Sequence, residues 1–127
     1  MAYVKVGLTP DGGASWFLSR ALPRQLASEI IMEGKAVSAA RLLQSGLVNR
    51  VVPDGHALSD ALDWSDELAA LSPNALENIK GLLREAPVNT LPQHFEAEKQ
   101  KFVESLHHAD GLEGITAFLE KRKPHYR

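Results

Sequence analysis

The sequence contains no cysteine, which excludes disulfides, thiolate metal sites and cysteine nucleophiles and gives no support to an oxidising compartment. A strong charge of one sign is missing as well. Against 16 Asp and Glu stand 14 Lys and Arg, a formal net charge of -2, too balanced for a broad phosphate-binding face toward nucleic acid or an anionic membrane. Any anion site must therefore be local. No run approaches the roughly 18 apolar residues of a membrane span, and the N-terminus lacks the basic-then-apolar order of a signal peptide. The expectation is a soluble, cytoplasmic protein without nucleic-acid or membrane partners. At 127 residues the chain can bury one moderate core but not two independent ones.

What is present is mostly helical punctuation. Gly12 to Leu22 reads as a helix closed by Pro23, and Leu26, Ile30 and Ile31 continue a 3.6-residue stripe until Gly34. Ser38 caps a short helix that Gly46 ends. The β-branched stretch 47–52 is the one good strand candidate besides the first few residues. Leu58, Ala61, Leu62, Leu68 and Ala69 share a face, and Ser72-Pro73 restarts a helix striped by Leu76, Ile79, Leu82 and Leu83. Thr90 with Gln93, and again Asp110 with Glu113, have capping-box spacing. The predicted chain is about two-thirds helical, and several of its stripes are too narrow to enclose a core, so another subunit or a further domain should cover them.

Three places carry candidate chemistry. Asp11, between Pro10 and two glycines at a helix mouth, reads either as an N-cap accepting first-turn amides or as a general base facing an apolar cleft. Lys121, Arg122 and Lys123 follow Phe118 at the end of the last helix. They read either as complements of the helix dipole or as a phosphate corner, with Phe102 on the preceding helix offering a ring for a flat base. The histidines show no metal-site spacing, and PDGGAS lacks the pattern of a nucleotide loop.

The stretches VGLTPDGGASWFLSR, SAARLLQSGLVNRVVP, LSPNALENIKGLL and DGLEGITAFLEKRKPHY, in this order and spacing, resemble the C-terminal half of the enoyl-CoA hydratase/isomerase (crotonase) superfamily. The resemblance implies a mainly α fold of five to seven helices with one or two short strands, lacking most of the family's ββα spiral core. Residues 1–53 would be the last part of that core, carrying the Asp11 turn and the strand 47–52. Residues 54–127 would be the helical region the family uses to form trimers. The family's N-terminal half supplies the backbone N–H pair that holds the thioester oxygen, and losing even one such donor costs on the order of 100-fold or more. The chain alone is therefore expected to be inactive.

By the same resemblance Tyr3 stands where the hydratases carry one of two catalytic glutamates, and it cannot do a carboxylate's work. Asp11 matches the turn aspartate of several isomerases, which shuttles a proton between carbons of an unsaturated acyl chain. Lys121 and Phe102 correspond to residues near the CoA phosphate and adenine. The implied partners are an acyl-CoA, which is substrate rather than cofactor, further copies in a trimer or a multiple of it, and a missing N-terminal half. A non-catalytic helical remnant that oligomerises and binds CoA weakly is the alternative.

Overall fold

The computed structural model describes residues 2–126. The protein is 66% helical, with seven α-helices and no strand among the described residues, which meets the mainly α expectation and its helix count. Two compact units divide after Ala57.

The first unit begins with a 3-10 turn, Tyr3–Val6, closed by Gly7 at φ 72. α1 (Ala14–Ala21) ends at the extended Leu22. α2 (Arg24–Glu33) follows Pro23 and stops at Gly34, whose φ of 59 favours a residue without Cβ. Leu22, Ala27 and Ile30 form a small core ringed by Leu18, Leu26, Val37 and Leu47. α3 (Ala39–Gln44) starts where the Ser38 hydroxyl accepts the Arg41 amide, and Arg41 returns to α2 through a bidentate pair with Glu29, 2.8 and 2.9 Å.

The strand expected at 47–52 does not form: these residues are bends and irregular chain. β-branching favours extended backbone, but a ladder also needs a neighbouring strand to satisfy its N–H and C=O groups. Among the described residues there is none. The other early strand candidate became the Tyr3–Val6 turn.

The second unit holds α4 (Ala57–Ala69), α5 (Pro73–Glu85), α6 (Leu91–His107) and α7 (Ala109–Leu119), with α5, α6 and α7 packed on one another. Ser72 caps α5 by accepting the Ala75 amide, with Pro73 at the first helical position. Gln93 reaches back to the Thr90 amide at 2.9 Å and hydroxyl at 2.7 Å, as its spacing implied.

The second capping box is a correction. α7 is capped by His108, whose Nδ1 accepts the Asp110 amide at 3.2 Å. Asp110 is instead buried, 7% exposed, and its Oδ2 accepts the Ser72 hydroxyl at 2.7 Å. One carboxylate thus serves the first turns of α5 and α7, where two sets of unpaired amides favour negative charge. Tertiary contact outcompeted the local box.

At the same corner Gly111 lets α7 approach α6 closely, since a Cβ there would stand 2.0 Å from the Ser105 carbonyl oxygen. Backbone cannot yield as a flexible side chain would. Gly111→Ala is expected to disrupt the α6–α7 corner outright. Asp110→Ala should lose about 1–3 kcal/mol, the cost of leaving buried donors without their charged partner. Denaturant unfolding checks both, and a midpoint unchanged in either variant contradicts this reading of the corner.

Candidate functional site

Gly7 turns the chain back so that the Leu8 amide reaches the Tyr3 carbonyl at 3.0 Å. This brings Tyr3 toward the Pro10–Gly13 turn, and its phenol donates to Asp11 Oδ1 at 2.8 Å. The N-cap reading of Asp11 fails here. The residue capping α1 is Gly13, at φ 80 and with no side-chain cap bond, so the Asp11 carboxylate is not spent on helix amides.

Tyr3 holds its proton above the ordinary phenol range, first because it hydrogen-bonds to Asp11 and then because a phenolate would stand beside a carboxylate. It therefore stays a donor through neutral pH. Asp11 is exposed, and Oδ2 has no protein partner among the described residues. Beside it the Phe17 ring lies over Gly13, 3.1 Å from where a Cβ would stand. Trp16 meets Phe17 edge-on at 4.9 Å, and the Arg20 guanidinium stacks on Trp16 at 3.9 Å. Leu22 is core, while Trp16 and Phe17 form an exposed wall.

The basic ending separates into different roles. Arg122 forks onto Glu113 at 2.6 and 2.9 Å and reaches Glu120 at 2.7 Å, and the His125 amide adds a bond to Glu113 at 2.8 Å. Arg122 is a clasp for the tail. Lys121 sits at φ 55, in left-handed backbone that an L side chain rarely adopts, because the Lys121 and Arg122 amides close α7 on the Phe118 and Ala117 carbonyls. Its ammonium has no partner among the described residues.

Phe102 is exposed on α6, before the His108 corner, while Lys121 lies past the far end of α7. No hydrogen bond or ring contact joins them among the described residues. Nor is any group of three or more His, Asp or Glu side chains among those residues disposed to hold a metal. Among the described residues no helix is long and apolar enough to cross a membrane.

The family model described as enoyl-CoA hydratase/isomerase matches residues 1–127. The chain belongs to this enoyl-CoA hydratase/isomerase family. It is 34% identical to the enoyl-CoA hydratase EchA19 of Mycobacterium tuberculosis over 97% of its own length and 46% of that relative. It is 33% identical to the 2,3-dehydroadipyl-CoA hydratase of Escherichia coli over 98% of its length and 49% of that enzyme. Among solved structures, an enoyl-CoA hydratase from Polaromonas sp. JS666 superposes with a TM-score of 0.94 at 55% identity, over 100% of this chain and 49% of that one. The chain thus spans about half the length of the relatives it matches.

Sequence reasoning singled out Asp11 as a candidate but missed its donor, since the Tyr3 bond crosses eight positions through a turn marked by Gly7. It also left Arg122 without a role. The clasp gives this family member an acid-sensitive tail: Arg122 and the His125 amide hold the Glu113 carboxyl down to about 2, from an ordinary value of 4.5. A carboxyl lowered on folding stabilises above its unfolded value and loses that contribution as pH falls toward the folded one. The clasp should therefore hold at neutral pH and release between about 4.5 and 2. Protection of the His125 amide, taken relative to its intrinsic exchange rate at each pH, should fall over that window, and in Glu113→Gln it should be low throughout. Protection that is insensitive to both contradicts the clasp.

Proposed function

We propose that this chain carries the acid/base group and part of the CoA-facing surface of an acyl-CoA double-bond isomerase, completed by a segment equivalent to the family's N-terminal half. The observation that supports this most is the Asp11 carboxylate, held through Oδ1 by Tyr3 rather than by a helix terminus. Asp11 takes a proton from the carbon next to the thioester and returns it two carbons along, as the electrons pass through the enolate and back into the shifted double bond. The enolate oxygen needs preorganised N–H donors, which the complementary half supplies. Hydration is the less favoured chemistry because Tyr3 stands where the hydratase resemblance calls for a second carboxylate. The relatives named above are hydratases, so the proposal is that this chain departs from them.

Lys121, whose ammonium has no partner among the described residues, would meet a CoA phosphate, and Phe102 the adenine. They would act from different subunits where copies of the chain assemble, as the family's trimers do. The lack of a partner for this charge among the described residues favours phosphate over the dipole reading, because Lys121 lies beyond the last helical residue.

The test is turnover of a short 3-enoyl-CoA by the chain, first alone and then mixed with the N-terminal half of the Polaromonas protein. Activity is expected only in the mixture, and Asp11→Asn should lower it by about 100-fold or more. Turnover that survives Asp11→Asn overturns the assignment, and no turnover in the mixture leaves the oligomerising, non-catalytic alternative. Calorimetric titration should find weak CoA binding that falls as salt rises and weakens further in Lys121→Ala. An affinity unchanged in that variant removes Lys121 from the site.

A further inference from the structure

We propose that Tyr3 is the positioning residue of Asp11: its phenol engages Oδ1 and leaves Oδ2 as the one oxygen that exchanges the proton. The inference rests on the isomerase reading of Asp11 and adds a function to a residue that the reading alone treats only as a lost carboxylate.

Asp11 stands on a turn between Pro10 and Gly12, with no helix amide to hold its side chain. Without a donor its carboxylate would rotate freely in solvent. Tyr3 supplies that restraint from a turn that is itself fixed, through Lys5 N–H to the Ala2 carbonyl at 3.0 Å, Gly7 N–H to Val4 at 3.2 Å and Leu8 N–H to Tyr3 at 3.0 Å. α2 packs on the same turn. A phenol is rigid, with two side-chain torsions, and sets its oxygen more narrowly than a long flexible donor would. Placement matters on this scale, since a shift of about 1 Å in a reacting group can cost on the order of 100-fold in rate.

The donor also keeps its proton where the reaction runs. Asp11 is the charge acting on Tyr3. Of the charged groups on neighbouring elements, Glu29 and Glu33 of α2 are paired with Arg41 and Lys35, and Arg20 of α1 lies on Trp16. Arg24 on α2 and Lys5 on the turn complete the set, and neither figures among the causes of the Tyr3 shift. A phenol kept neutral beside the carboxylate can orient it without competing for the proton it takes from carbon.

Two readouts test the inference. The chain has two tyrosines, so Tyr126→Phe leaves Tyr3 as the sole tyrosinate chromophore. Its alkaline absorbance midpoint should lie above about 10, the ordinary phenol value, and fall back toward it in Asp11→Asn; the same midpoint in both overturns the pairing. In the mixture with the complementary half, Tyr3→Phe keeps the ring and its packing, which circular dichroism verifies. It should lower kcat by about 10- to 100-fold with KM within about twofold, because the phenol acts on Asp11 and not on bound substrate. An unchanged kcat, or a loss confined to KM, overturns the positioning role. If the unsubstituted mixture is itself inactive, the isomerase reading falls and Tyr3's catalytic role with it, and the titration then reports the pair as structural only.

Discussion

The chain does not cover its own apolar surface, and every other feature answers to that. Among the described residues Leu22, Ala27, Ile30 and Ala117 are the buried apolar ones, and all four phenylalanines, Phe17, Phe95, Phe102 and Phe118, are 59–82% exposed. At roughly 25 cal/mol per Å² of apolar surface removed from water, leaving such rings wet forgoes a large share of what normally offsets chain entropy. Exposed apolar faces of this extent belong against protein. The coverage of relatives agrees: a fold matched at a TM-score of 0.94 over 49% of a longer chain has the other half of that chain to pack against.

Polar fixtures hold together what the small cores cannot. In the first unit the Arg41–Glu29 fork joins α3 to α2. In the second, Asp110 sits under two helix starts, Asn78 donates to Ser105 across α5 and α6 at 3.0 Å, and Arg122 straps the tail to Glu113. Such bonds give less stability than a packed core, since each exchanges partners with water, but they fix angles between helices. A scaffold set by direction rather than by depth of burial presents its apolar faces in a defined arrangement.

Local chemistry was legible in the sequence and tertiary chemistry was not. Ser38, Ser72 and the Thr90–Gln93 pair did what their spacing implied, because a cap and its partners lie within one turn of each other. The stretch 47–52 misled because its β-branched residues state a backbone preference and not the presence of a pairing strand. Asp110 and Glu113 misled in another way. Each had a partner 38 or 9 positions distant, Ser72 or Arg122, that bound it better than its own helix did. Asp11 lay between these cases: its isolation beside two glycines was visible, while the phenol that holds it was hidden by the turn at Gly7.

The exposed apolar faces of each unit call for cover by other protein, and the need for that cover is the central claim. Sedimentation equilibrium of the purified chain at micromolar concentration tests it most directly. The account expects a mass at a multiple of the 13.9 kDa chain, shifting to a defined complex when the complementary half is added. A compact, well-folded species at 13.9 kDa that ignores the added half would contradict it.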